Sequence, residues 1–185
     1  MIRGLILVLV LLLSAGAHSE SLGKGQAERF LASMQELQDD DAFVEGFLEA
    51  HEVNADRLQH PGSLLVSESV SLLAGRDVYG TLERVAEAHG FSGVEAWAET
   101  GDRILLAVIS LQLGDLAPAM ARELERVADD IKENDQFSEA QKARMLKMLR
   151  ASSQMINRAR DVDEADQQAV RPYLEKLKDV FAYKL

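Results

Sequence analysis

The chain has 185 residues, no cysteine and a formal net charge of −11 at pH 7. The absence of cysteine excludes a disulfide-stapled module, a thiol nucleophile and sulfur-ligated zinc. The acidic balance argues against nucleic-acid binding, because such binding depends on neutralising phosphates with Lys and Arg. A hydrophobic share of 47% is typical of a chain that folds around a core.

The first 17 residues have the three parts of an export signal. Arg3 gives a cationic start, Leu5–Leu13 is an apolar run, and Ala15-Gly16-Ala17 supplies a small-x-small cleavage pattern. This run of nine residues is too short for a membrane-spanning helix, which needs about 20. The sequence therefore predicts a signal peptide over 1–17, cleaved after Ala17, and a single periplasmic helical domain over 18–185.

Beyond the signal, apolar residues recur at spacings of three and four, which predicts helices, and no alternating pattern predicts a strand. A first helix is expected over about 25–38, and Asp39-Asp40-Asp41 suits the start of a second helix that runs to about residue 58, since acidic residues favour helix amino termini. His60-Pro61-Gly62 predicts a turn, followed by a short helix that ends near Gly75. The fold class is therefore all-α: a compact bundle of about six helices.

The strongest local signals surround Gly90. A helix is expected to end there with a positive φ, as glycine allows. Ser92 and Glu95 have the spacing of a capping box, which predicts the start of the next helix. We expect Trp97 to lie in the core next to Phe91, because it begins the apolar stripe of that helix.

Glycine, proline and capping residues mark the later helix ends. Gly101 leaves a gap in an apolar stripe, where a neighbour can approach closely, and Gly114 is expected to end that helix. Pro118 fits the first turn of the next helix, and Ser138 with Gln141 forms a second capping box. The apolar stripes of the second half consist of Leu116, Met120, Leu124, Val127, Ile131, Met145, Leu149, Ile156, Ala159, Tyr173, Leu174, Leu177, Val180 and Phe181.

Common catalytic motifs are absent from the sequence, including His-Glu-x-x-His, the Walker loop and the nucleophile elbow. His51 and Glu52 near Asp56 would offer a surface metal contact. Thioethers that suit Cu(I) come from Met120, Met145, Met148 and Met155. A metal site needs converging ligands with supporting partners, and methionine commonly fills helical cores. We therefore expect no metal site and no cofactor, with these methionines in the core.

Charge is distributed unevenly along the chain. Residues 18–137 carry 24 acidic and 9 basic residues, whereas 138–185 carry 7 acidic and 10 basic residues. The two parts either compensate each other within one globule or mark an interaction face. The candidate face consists of Lys142, Arg144, Lys147, Arg150 and Arg158. A basic helix of this kind docks in a partner's groove, lies weakly on an anionic membrane surface, or forms the solvated side of a bundle.

Several short motifs give a resemblance. They are His89-Gly90-Phe91-Ser92, Trp97, Gly101-Asp102-Arg103 and Arg171-Pro172-Tyr173. Together they resemble a group of small exported all-helical proteins of Gram-negative bacteria, a group without an assigned activity. The resemblance covers 79–181 and is clearest between 89 and 103. It implies an exported all-helical fold and transfers no catalytic residue.

Two classes of function remain open. The first is a non-enzymatic periplasmic binding or interaction protein, chaperone-like or related to envelope stress, whose partner is another envelope protein. The second is an enzyme, a hydrolase, with a site near His89, Asp102 and Arg103. The first is preferred because the apolar positions are accounted for as core and no polar cluster converges. On this interpretation Arg103 reaches Glu99, one turn back on the same helix.

Overall fold

The computed structural model describes residues 21–23, 25–53 and 65–182, and every regular element in these ranges is helical. The α-helices are α1 Gln26–Asp39, α2 Asp41–Val53, α3 Val66–Ser71, α4 Asp77–Ala88, α5 Val94–Leu113, α6 Ala117–Glu133, α7 Glu139–Arg160, α8 Glu164–Val170 and α9 Leu174–Ala182. Short 3-10 turns over Gly114–Leu116 and Arg171–Tyr173 join α5 to α6 and α8 to α9. The predicted all-α bundle is confirmed. The segment 1–17 and the turn His60-Pro61-Gly62 lie outside the described residues.

Helix α5 is the centre of the bundle. It contacts α1, α3, α4, α7, α8 and α9. Its inner face is fully shielded from solvent at Ile104 and Ala107. Because α5 is apolar on several sides, it can be surrounded by neighbours, as a helix buried in a core must be.

Trp97 lies in this core with 2% of its surface exposed, as predicted. Its indole ring packs against Phe30 of α1, with ring centroids 5.0 Å apart. Its Nε1 donates a hydrogen bond to Ser33 Oγ at 2.7 Å, so the buried polar atom has a partner. Phe91 is buried in the same core cluster, and the guanidinium of Arg29 lies 6.0 Å from its ring centroid.

Gly101 allows the close approach that the sequence predicted. A Cβ at this position would lie 2.7 Å from Phe30 Cε2 and 3.0 Å from Val66 Cγ1. Both distances are shorter than a carbon–carbon contact at its optimum of about 3.5–4.0 Å. The missing side chain therefore lets α1 and α3 pack directly on α5.

The helix ends agree with the sequence at some positions and differ at others. Gly90 has a φ of 80° and Gly114 a φ of 47°, as expected of terminating glycines. The capping box at Ser138 is confirmed: Gln141 N donates to Ser138 Oγ at 3.3 Å, and Ser138 N donates to Gln141 Oε1 at 2.9 Å. The capping box predicted at Ser92 is wrong. Helix α5 begins one residue later than that box requires, with Gly93 in the N-cap position and no side-chain cap.

Helices α6 and α7 form an antiparallel hairpin. Helix α6 packs mainly on α7 and the preceding turn, whereas α7 also reaches α5. None of the residues between 117 and 160 belongs to the main core cluster. Between residues 117 and 160, Ile131 and Met155 are buried. Met120 is 41% exposed and Met148 59% exposed, so the prediction that these two methionines lie in the core is wrong. The reason is that, within the described residues, the hairpin packs mainly on α5 and on the turn before α6, which leaves part of its surface uncovered.

By length and composition, one stretch of the described residues, 94–133, is long and apolar enough to cross a membrane. The core helix of a soluble protein gives the same signal. Here the stretch comprises α5, the turn at Gly114 and α6. Leu116, at the turn, is 64% exposed. The apolar side chains of this stretch therefore lie partly in the core and partly at the turn between α5 and α6, where they are exposed.

Candidate interaction face on helix α7

Helix α7 combines strong helix signals with charges that are all positive after its first residue, Glu139. Ser138 caps it, and neither Gly nor Pro interrupts it. Between 140 and 160 there are six basic residues and no Asp or Glu. Positions three, four, seven or eleven residues apart share one side of a helix, which places Arg144, Lys147 and Arg158 together. We call these three residues, with Met148 beside them, the basic face.

The basic face is open to solvent. All four of its residues are exposed, and Met148 retains 59% of its surface. Among the ion pairs of the described residues, none involves Arg144 or Arg158. The face therefore presents one large apolar side chain and two arginines, Arg144 and Arg158, that have no acidic partner in the described residues.

The charges of the neighbouring helix α6 are arranged differently. Arg126 pairs with Glu123 at 2.6 Å and with Asp130 at 2.7 Å, and Lys132 pairs with Asp129 at 2.7 Å. The hydrogen bond from Arg126 lowers the pKa of Glu123 below its usual value. Two of the three cations of α6 are thus neutralised by acids of the same helix, whereas Arg144 and Arg158 of α7 have no ion pair in the described residues.

Two of the predicted face residues lie elsewhere on α7. Lys142 is 14% exposed, pairs with Glu139 at 3.4 Å and donates to the carbonyl oxygen of Lys132 at 3.1 Å. Arg150 lies at a groove of about 450 Å³ between α6 and α7. Lys142 therefore belongs to the hairpin's own packing, and Arg150 borders the groove.

The residues of the alternative enzyme site have three separate partners. His89 Nε2 lies 2.9 Å from Glu36 Oε2. Asp102 accepts hydrogen bonds from the backbone N and the hydroxyl of Ser67, at 3.0 and 2.5 Å. No hydrogen bond or ion pair within the described residues joins His89, Asp102 and Arg103 to one another. Their contacts link helices and do not form an acid–base cluster.

Arg103 pairs with Asp166 on α8, so the expected contact with Glu99 is wrong. Its Nη2 lies 2.8 Å from Asp166 Oδ2, and its Nε lies 3.2 Å from the same oxygen. The backbone N of Leu22 also donates to Asp166 Oδ1 at 2.6 Å. One buried carboxylate thus holds α5, α8 and the chain before α1 together. The sequence offered one signal for this pairing, since Asp166 is an acid at an inward-facing position of α8. This signal was not recognised.

The metal patterns do not come together in the part of the chain that the structure describes. No group of three His, Asp or Glu residues there is placed to hold a metal ion. The ring of His51 stacks on Phe47, with centroids 3.9 Å apart, and its Nδ1 lies 2.8 Å from the carbonyl oxygen of Phe47. Asp56 lies outside the described residues.

An apolar cleft lies where α1 and α2 meet α3 and α5, and its volume is about 70 Å³. Pockets that bury a small molecule usually have about 300–1,000 Å³. The cleft includes Phe43, Phe47, Val70 and Trp97 in its lining. Its size fits a packing gap between helices better than a ligand site.

Comparisons of the chain with protein-family models, with curated proteins and with solved structures found no match. The resemblance to small exported helical proteins therefore stays a prediction.

Proposed function

We propose that this chain is a non-enzymatic interaction protein that binds an acidic partner surface through the basic face of α7. The observation that carries the proposal is the pairing pattern of the hairpin. Arg144 and Arg158 are exposed without an acidic partner in the described residues, while Met148 beside them exposes 59% of its surface. Cations around an apolar anchor are a common composition of protein interfaces.

The position of the face supports the same function. Helix α7 packs on α6 and α5 with its other side, so a partner can cover the basic face without disturbing the main core. Opposite charge on the partner would accelerate association and fix its orientation. The expected partner is an envelope protein with an acidic surface, in keeping with a chaperone-like or envelope-stress role.

The location proposed for this interaction is the periplasm. It rests on the cationic start, the apolar run and the cleavage pattern of residues 1–17. Mass spectrometry of the protein isolated from a periplasmic extract should give an amino terminus at His18. A protein that retains Met1 would contradict cleavage and the proposed location.

The binding proposal is tested by charge reversal of the basic face. The variant Arg144→Glu/Lys147→Glu changes two exposed positions of α7, and Arg171→Glu/Lys176→Glu makes the same change in charge on other exposed positions. Chemical crosslinking in the intact envelope should give adducts with the wild type and the control pair. The α7 variant should lose them. Adducts that persist in the α7 variant would refute the basic face as the binding surface.

A further inference from the structure

Helix α2 presents an acidic face that is arranged like the basic face, with charges of one sign beside an exposed apolar side chain. Residues 30–56 contain eight Asp or Glu and no Lys or Arg. Spacings of four, four and three residues place four exposed acids on one side of α2. They are Asp41, Glu45, Glu49 and Glu52. Together with Leu48, which lies among them and is 60% exposed, we call them the acidic face.

The acidic face is unpaired within the described chain. No ion pair there involves any of its four carboxylates. Helix α2 packs on α1 and α4, whereas α7 packs on α6 and α5. The acidic and basic faces therefore belong to different parts of one molecule, and neither neutralises the other there.

The two faces match in length and composition. The acids from Asp41 to Glu52 span about 16 Å of helix, and the cations from Arg144 to Arg158 span about 21 Å, at 1.5 Å per residue. Each helix also exposes large apolar side chains beside these charges, Leu48 and Val53 on α2 and Met148 on α7. Two helices with three- and four-residue ridges can pack side by side.

We propose that the acidic partner of the basic face is α2 of a second copy of this chain. This inference rests on the proposed function, since it names the partner of the same face. Charge complementarity and the exposed apolar side chains argue for it. The net charge of −11 opposes association, but at about 0.15 M salt the Debye length is only about 8 Å. Facing charges at contact distance therefore outweigh the repulsion between distant ones.

A lipid surface fits the basic face less well. A helix that lies in a membrane interface buries a broad apolar side with Trp, Phe or Leu. Met148 is the one large apolar side chain that α7 exposes in the described structure. The acidic remainder of the chain would also be repelled by anionic headgroups. The membrane is therefore an alternative outcome of the test.

Analytical ultracentrifugation of the purified chain tests the inference. The wild type should show a concentration-dependent increase in mass, and 0.5 M salt should weaken this association about tenfold by shortening the Debye length to about 4 Å. Glu45→Lys/Glu49→Lys and Arg144→Glu/Lys147→Glu should each remain monomeric. A chain that combines all four changes should associate again, because positions 45 and 49 of one face and 144 and 147 of the other once more carry opposite charges. Arg171→Glu/Lys176→Glu should associate as the wild type does.

Each other outcome overturns self-association. A wild type that remains monomeric at about 1 mM refutes it. If that monomer still forms envelope crosslinks that depend on Arg144 and Lys147, the basic face has a different acidic protein as partner and the proposed function stands. If it binds vesicles of anionic lipid and Arg144→Glu/Lys147→Glu does not, the occupant is a membrane. If neither binding is seen, the proposed function fails as well.

Discussion

Trp97 and Ser33 are joined across the core by a hydrogen bond of 2.7 Å from the indole nitrogen to the hydroxyl oxygen. Ser33 donates in turn to the carbonyl oxygen of Phe30 at 2.7 Å. The pair thus fixes α5 against α1 through one of the few buried polar contacts of the core. Its two members should contribute differently to stability.

We expect Trp97→Ala to lower the free energy of unfolding by about 3–5 kcal/mol, because it leaves a large cavity. Ser33→Ala should cost about 1–3 kcal/mol by leaving a buried N–H without an acceptor. In a Trp97→Phe background the same serine change should cost less, since no indole N–H remains. Urea unfolding of the four chains measures these differences. A Trp97→Ala chain as stable as the wild type would contradict the core role of Trp97.

Gly101→Ala should destabilise the bundle by about 1–3 kcal/mol, although alanine is the better helix former. The added methyl group would overlap Phe30 Cε2 at 2.7 Å and force an overpacked core. Gly80→Ala is the matched control, because that helical glycine has no atom within 4 Å of its added Cβ. It should stabilise α4 by about 0.5–1 kcal/mol. Thermal unfolding should therefore shift in opposite directions for the two variants.

Asp166→Asn should cost about 3 kcal/mol, because it leaves the partly buried Arg103 without its counter-charge. The exposed Asp179→Asn change in α9 should alter stability by less than about 0.5 kcal/mol. Amide hydrogen exchange at Leu22 should also accelerate in Asp166→Asn, since this amide donates to the same carboxylate. Unchanged exchange at Leu22 would show that Asp166 does not hold the chain before α1.

The two serines that precede helices should differ in their contributions. Ser138→Ala removes a capping box and should cost about 1 kcal/mol. Ser92→Ala removes no cap and should stay within about 0.5 kcal/mol of the wild type. Chemical denaturation of both variants under one set of conditions checks this order. Equal costs would mean that Ser92 caps α5 in solution.

Glu36 makes stability depend on pH. A hydrogen bond from His89 and a smaller contribution from Arg84 lower the pKa of Glu36 in the folded chain below 4.5, the ordinary value for this side chain. Because the pKa of Glu36 is lower in the folded than in the unfolded chain, its carboxylate stabilises the fold at pH values above the unfolded pKa. This contribution disappears as the pH falls through the folded pKa. Glu36→Gln should therefore reduce the urea midpoint at pH 7 and have no effect well below the lowered pKa. A difference that persists there would contradict the ionic origin of the effect.

The helices could be predicted from the sequence because their signals are local. Apolar spacing gave the all-α bundle, and Gly90, Gly114 and Ser138 mark ends that the structure confirms. Ser92 failed because a capping box and an adjacent glycine compete for the same turn, and spacing alone does not decide between them. The exposure of Met120 and Met148 also escaped prediction, since an amphipathic stripe does not tell how many neighbours will cover it.

The contacts between distant elements could not be predicted. Arg103 has an acid one turn away at Glu99, yet it pairs with Asp166, 63 residues further along the chain. The sequence did not mark Ser67 and Ser33 as residues that link helices. A serine indicates such a contact only when a buried donor or acceptor is known to face it. The basic character of α7 was visible in the sequence. Which of its cations face solvent became clear only once Lys142 was seen to bind within the hairpin.

The hairpin of α6 and α7 shares no buried residue with the main core cluster, so its loss would leave most of that core intact. Elements with few buried contacts open at lower free energy than the global unfolding transition. The hairpin is therefore expected to behave as a cooperative unit of its own, whose amides exchange through partial opening. A partner that covers the basic face would slow that exchange. The slowing would occur in the segment from 117 to 160.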